Sequence, residues 1–524
     1  MWQLLRQLRR VRVLTLTGLV HLVAAIWSKG VNPMALLRLA ARLHPGCIAV
    51  DDGLERLSYE ELETQCERLA RALRDECGVQ MRDKVVIACR NHAAAIKSIF
   101  AGARLGANLY LVSPDTPAAI RRRLQQVHQF RLWIQEESPL PAGEDCELSA
   151  RCLPAYSSTT TSIDTWARQP DRPTCDLPRR RGGEIVVFTG GTSGVPKSAR
   201  RKASITAYLP PVVALLTQLP ISTRQTLLVA TPIYHGFGLA TLLLGVLLGA
   251  RMIVRRHFDA AATCELIHQQ HVEVVTLVPL MLQRMLQHDP VAMSPLRCIV
   301  CGGAPLSSGL VKQCLELLGD VLFNLYGSSE AGLAIMAGPA SLARKPESIG
   351  RAIRGVEVRI TVASSREATP GDVGRLSLRS SWTIQAGEWI DTGDLARRDT
   401  DGDIVLCGRA DDMIISGGEN VYPIELQSVL EQHPAVAAAG VIGIEDADFG
   451  QRLKAVIVSR PQVSLTATEL RDWLSTRVAR HQMPKSIEFR EELPTNPLGK
   501  LDTRALQVGS QLSGMQKEDD PRLR

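Results

Sequence analysis

Aromatic residues are scarce: Phe, Trp and Tyr make up only 4% of the 524 residues. That is too few for a nucleic-acid platform built on stacked rings, so no nucleic-acid partner is expected. Long hydrophobic runs are also lacking. The most apolar stretch near the amino terminus, residues 13–27, falls short of the roughly 20 residues that a bilayer-spanning helix needs. The net charge of +7 is a mild balance for this length and suits anionic small molecules or a lipid surface. The twelve cysteines are irregularly spaced, which excludes a small disulfide scaffold and reads as reduced thiols of a cytoplasmic protein. Internal repeats are absent. What is present, 45% hydrophobic and 22% charged residues, describes an ordinary globular chain with ample core and two to four domains.

Residues 1–12 carry Arg6, Arg9, Arg10 and Arg12 and no acid, and an almost uncharged segment follows them. The pattern resembles a signal peptide, but Trp27, Ser28 and Lys29 make a poor cleavage site. Two readings of residues 1–30 remain: a basic helix lying on a membrane surface, or a helix docked on the body of the protein.

The rest alternates between helical and strand patterns. Residues 57–73 have helical spacing, and Ser58 with Glu61 forms a capping box. Residues 84–114 read strand–helix–strand, a βαβ unit that implies a parallel sheet. Residues 135–183 are polar and rich in Pro, Ser, Thr and Arg, and read as loop. From Glu184 six apolar runs follow, most of them ending at Gly, Pro, Ser or Thr, where α/β sheets place ligand loops. Past Gly355 short strands and crowded turns suggest a smaller β-rich subdomain. Residues 420–506 read as an α+β unit, and the chain from Val508 reads as disordered.

The glycine-rich segment 188–197 (FTGGTSGVPK) follows a strand. Its bare backbone can approach an anion, and its hydroxyls and lysine add donors and charge, so it reads as a phosphate cradle or, failing that, a plain loop. It is not a Walker A loop, because Pro196 stands where that motif needs Gly. Further motifs occur in order: Tyr234-His235-Gly236, CGGAPL (301–306), LYGSSEAG (325–332), DTGDL (391–395), GRADDMIISGGENVYP (408–423) and PTNPLGK (494–500). Together these seven resemble the adenylate-forming superfamily of acyl-CoA synthetases, adenylation domains and luciferases, over nearly the whole chain from Pro45 to Leu506.

The resemblance implies an α/β fold: a large multi-subdomain amino-terminal domain (31–410) and a small mobile α+β lid (411–507), with a disordered tail at 508–524. It implies ATP, Mg²⁺ and coenzyme A as cofactors, with a carboxylic acid activated as acyl-AMP and passed to a thiol. For the phosphates it points to Thr189, Gly190, Gly191, Thr192, Ser193, Gly194 and Lys197, although Gly190 and Ser198 depart from the family's usual serine and glycine. Tyr326 would stack on adenine, with Gly302, Gly303, Ala304 and Gly327 lining the pocket. Ser329 would touch the α-phosphate, and Asp394 would take the ribose with help from Arg409. Glu330 would hold Mg²⁺ as a hard oxygen ligand. His235 reads either as a gate beside the acyl carboxylate or as a structural histidine. Lys500 would reach in from the lid to the α-phosphate. Asp411 would be the hinge, and Gly417 and Gly418 would admit the pantetheine arm. Cys298 and Cys301 form a CxxC with no second pair, so they read as core thiols.

The gate segment TPIYHGFGLA has no acid to pair with a substrate amine, which disfavours amino acids. No Ser-bearing carrier domain follows position 506. Leu277, Val278, Pro279, Ala304, Gly327, Ala331 and Gly332 are candidate pocket residues, all apolar or small. They favour a medium- or long-chain fatty acid. An aryl acid is the alternative, as is transfer to a separate acyl carrier protein.

Overall fold

The structure is a computed structural model and describes residues 15–137, 151–157, 161–170, 176–180, 182–189, 197–202, 205–328, 330–362, 366–416, 419–446, 449–460, 463–495, 501–502 and 505–506. Two sheets build the large amino-terminal part. The first is six-stranded, and its centre is the expected βαβ unit. Strands Lys84–Ala88 and Asn108–Leu111 run parallel, joined by the helix Ala93–Leu105, which is buried along its whole length. The second sheet has 13 strands. Its parallel core joins Thr226–Val229, Val274–Leu277, Cys298–Gly302 and Leu322–Ser328 in neighbouring positions. Apolar residues of both sheets meet in one cluster, where Val85, Ile87 and Leu109 pack with Val229, Met252 and Val254.

The capping box forms as expected. The Ser58 side chain accepts from Glu61 N, Glu61 answers at Ser58 N, and the helix runs Tyr59–Cys77 until left-handed Gly78 ends it. The strands past Gly355 do not make a sheet of their own. Strand Ser348–Ala352 pairs with both Gly332–Ala337 and Ile404–Arg409, so the β-rich part extends the large sheet.

Residues 135–183 are less loop-like than their composition suggests. They contain the second half of strand Leu132–Glu137, strand Arg151–Tyr156 and helix Ile163–Arg168. The Arg151–Tyr156 strand holds Pro154 and lies at the sheet edge, where a missing N–H is tolerated.

The carboxy-terminal part has its own five-stranded sheet and its own core, in which Ile414, Val421, Leu426, Leu453 and Leu470 meet. The large sheet's last strand ends at Arg409, and the lid core begins at Ile414. Gln283 donates to Ala437 O across the two parts at 2.6 Å.

The candidate active site

The motifs converge because the parallel core strands all point one way. The loops after Val229, Leu277, Gly302 and Ser328 leave the same end of one sheet, and this is where α/β folds collect ligand-binding groups. Residues 234–236, 302–304, 326–328 and 330 lie on these loops or at the strand ends that feed them.

The loop carrying His235 is held from below. Asn91 Nδ2 donates to Val229 O (3.1 Å) and Thr231 O (2.9 Å), and Asn91 Oδ1 accepts from Ile233 N (2.8 Å). Asn91 is buried and its amide is used at both ends, so it fixes this loop without belonging to any motif. Tyr234 is buried, and its ring lies 4.6 Å from that of His235, which is itself half-buried. Burial pushes the Tyr234 hydroxyl up from its ordinary pKa, against the opposing effect of a hydrogen bond with Ser113.

Gly302 ends a fully buried strand in register with Leu325. A Cβ at Gly302 would sit 2.7 Å from Leu325 O, so only glycine lets these strands close up. Cys298 and Cys301 are buried in the same strand, and burial pushes the Cys298 thiol up to about 12. They are core thiols, as expected.

Tyr326, Asp394 and Arg409 come together. Strand register sets Asp394 opposite Arg409. The Tyr326 hydroxyl donates to Asp394 Oδ2, while Arg409 Nη1 donates to Asp394 Oδ1 (3.1 Å) and Thr392 O (2.9 Å). Arg409 Nη2 also reaches Asp411 Oδ2 at 3.3 Å. Burial and the Asp394 charge hold the Tyr326 hydroxyl well above its usual range. Burial works against the Arg409 charge, but Asp394 and Asp411 outweigh it and hold the proton more tightly than usual. Gly393 makes the arrangement possible. It has φ +73°, and a Cβ there would stand 2.7 Å from Arg409 Nη2. The DTGDL motif contained that signal, but the sequence reading took only its aspartate.

Gly327 lies in the hairpin of Leu322–Ser328 with Gly332–Ala337, and Glu330 lies in the connecting turn. The Glu330 carbonyl accepts from Ile384 N at 2.9 Å, which ties the turn to the β-rich part. The glycine-rich segment is framed by an antiparallel pair, Glu184–Thr189 with Lys197–Lys202, in which Thr189 faces Lys197. A strand therefore follows the loop where a Walker A loop would feed a helix. Gly190, Gly191, Thr192, Ser193, Gly194, Ser329, Gly417, Gly418 and Lys500 lie outside the described residues. Lys500 immediately precedes Leu501, which pairs with Thr495.

A cavity of ≈ 590 Å³ lies elsewhere, lined by Arg351, Arg359, Arg379, Trp389 and Arg398 of the outer strands and by none of the motif residues. Its arginines are largely engaged: Arg351 with Asp403, Arg379 with Glu357, and Arg398 with Val358 O.

Paired sheets, a small carboxy-terminal lid and a tyrosine–aspartate–arginine cluster at the sheet end define an adenylate-forming enzyme. The AMP-binding enzyme family matches residues 37–386, and the AMP-binding enzyme C-terminal domain matches 425–500. The chain belongs to that family. It is 31% identical over 486 residues to feruloyl-CoA synthase of an Amycolatopsis species, covering 88% of this chain and 95% of the relative. It is 30% identical over 489 residues to 2-succinylbenzoate–CoA ligase of Geobacillus kaustophilus, covering 90% and 96%. Among solved structures, the amide bond synthetase of Marinactinospora thermotolerans superposes with a TM-score of 0.79 at 26% identity, over 91% of this chain and 99% of that one. The chain is an AMP-forming acid–CoA ligase that works through an acyl-adenylate with ATP, Mg²⁺ and CoA.

Proposed function

We propose that the acid is aromatic, a carboxylic acid carrying a ring, and not a fatty acid. The observation that carries this is the near full-length similarity to ligases named for feruloyl and 2-succinylbenzoate substrates, both of which contain a ring. The packing agrees. Leu277, Pro279 and Ala331, counted among the residues favouring an alkyl chain, are buried in core clusters or under them. Of the candidate pocket residues, Ala304 and Gly327 stay outside the core and are small, which suits a flat ring.

In the first step a carboxylate oxygen attacks the α-phosphorus of ATP and pyrophosphate leaves. In the second the CoA sulfur attacks the acyl carbon and AMP leaves. Asp394 and Arg409 would bind the ribose, and Tyr326 would stack on adenine. The close backbone approach at Gly302 would keep that side of the pocket flat. The hydroxyls and Lys197 of the glycine-rich segment would neutralise the leaving pyrophosphate. Mg²⁺ adds charge neutralisation at the phosphates when bound, and the Glu330 carboxylate is the hard donor suited to it. Lys500 would stabilise the first transition state. Rotation about Asp411 would then bring Gly417 and Gly418 up for the thioester arm.

The test is isotope exchange between pyrophosphate and ATP with ferulate, 2-succinylbenzoate, decanoate and palmitate. The ring acids should give the faster exchange. Faster exchange with decanoate or palmitate overturns the assignment.

A further inference from the structure

The helix Leu16–Lys29 presents two different faces. One face is docked. Ala25 is buried with Ala35 and Leu39 of the helix Pro33–Leu43, and Leu22 and Ile26 pack against them. Polar ties fix its end: Lys29 Nζ to Glu67 (2.6 Å), Asn32 Nδ2 to Arg180 O (3.0 Å), and Gly182 N to Val31 O (3.0 Å). The opposite face is apolar and open. Leu16, Leu19, Val20, Val23 and Trp27 follow helical spacing and form one stripe. Leu16 is 82% exposed, Val20 59%, Val23 65% and Trp27 74%. A solvent-facing helix of an isolated protein would put polar residues there.

The charge distribution says what covers it. Residues 1–50 contain no Asp or Glu. They contain seven cations: Arg6, Arg9, Arg10, Arg12, Lys29, Arg38 and Arg42. The chain has 61 Lys and Arg in all, so 54 remain beyond residue 50 against 54 Asp and Glu, and the whole net charge of +7 resides in this segment. The acids beneath the helix, Glu63 and Glu67, are each neutralised by cations: Glu63 by Arg38, and Glu67 by Lys29 and Arg104. Arg179 lies over the Trp27 ring at 5.4 Å, adding a cation beside the stripe's aromatic end. An apolar stripe on a segment whose sequence carries a net positive charge, with a tryptophan at the stripe's edge, is complementary to the surface of an anionic bilayer. No described helix is long and apolar enough to cross a membrane, so contact would be in the plane of the surface.

We propose that this stripe docks the enzyme on an anionic lipid surface. Because the other face is packed on the body, the stripe is a rigid platform that sets the enzyme's orientation on the lipid.

The experiment is co-sedimentation of the full chain with vesicles of phosphatidylcholine alone, or of phosphatidylcholine doped with phosphatidylglycerol. The wild-type chain should pellet with the doped vesicles, and about tenfold less with the neutral ones or at high salt. Val20→Glu with Val23→Glu alters only outward side chains, so the melting temperature and solution exchange activity should be unchanged while vesicle binding falls at least about tenfold. Val20→Leu with Val23→Leu should restore it. Replacing Arg6, Arg9, Arg10 and Arg12 with Gln should abolish the preference for doped vesicles. Failure of the wild type to pellet overturns the proposal. So does pelleting that the glutamate variant leaves intact. A self-association that the glutamate variant dissolves, with no vesicle binding, would assign the stripe to a second copy of the chain instead.

Discussion

Asp394 has a partner on each carboxylate oxygen, the Tyr326 hydroxyl on one and the Arg409 guanidinium on the other. Asp394→Asn would keep the shape but remove the charge that holds both. Losing such a charged partner typically costs about 1–3 kcal/mol, so kcat/KM for ATP should fall by roughly ten- to a hundredfold in the exchange assay. Tyr326→Phe removes only one donor and should cost less. Gly393→Ala is a sharper probe. It forces a side chain into positive φ and against Arg409, a strain of order 1–3 kcal/mol that should lower the melting temperature and weaken ATP together. An unchanged KM for ATP would separate Arg409 from the nucleotide. At this scale the sequence was most legible where a motif named a chemical group, as with Tyr326 and Asp394. It was silent on Asn91, whose whole action is to hold backbone groups more than a hundred positions away. No local pattern encodes that separation.

Among elements, the helix Tyr59–Cys77 was legible because its cap is local: Ser58, Glu61 and Gly78 sit within or beside it. The Arg151–Tyr156 strand was not, because Pro154 is acceptable only at an edge, and edge position is a property of the assembled sheet. A change of pattern near Asp411 suggests a lid boundary; the large sheet's last strand ends at Arg409, and a separate core begins at Ile414. The proposed hinge makes a two-sided prediction. Lys500→Ala should lose adenylation by about 10²–10³ while still converting supplied acyl-AMP to thioester. Asp411→Pro should keep adenylation and lose thioester formation, because proline fixes φ. Both half-reactions are measured in both variants, and equal damage to both steps in each removes the hinge.

Over the whole molecule, the long-range ion pairs set the response to acid. Asp51 is buried at the end of strand Ile48–Asp51, with Arg56 at 2.8 Å, Arg251 at 2.9 Å and Arg255 at 3.6 Å. Burial alone would raise its pKa, but the three guanidinium groups and Gly53 N outweigh it and hold the carboxyl below its usual range. The stability it contributes is therefore complete above the ordinary carboxylate value of about 4, and is lost as pH falls toward the lower folded value. The melting temperature should hold from neutral pH to about pH 4 and then drop. The arginines are partly exposed, so Asp51→Asn should cost about 1–3 kcal/mol at neutral pH and flatten the acid limb. An unaltered acid limb in that variant would move the effect to other carboxylates. The fold class was readable from strand–helix alternation, but the joining of the two β regions through Ser348–Ala352 was not, because a strand's second partner leaves no trace in its own residues.

Arg409 is shared property. The same guanidinium grips Asp394 in the proposed nucleotide cluster and Asp411 at the proposed pivot. If Asp394 takes the ribose and Asp411 is the pivot, ligand occupancy and lid angle would be thermodynamically conjugate. An orientation that pulled Asp411 away would change what Arg409 offers to Asp394, and AMP bound there would bias the orientation in return by the same free energy. Departure of AMP after the second step would thereby reset the lid for the next ATP, with one arginine serving as the escapement.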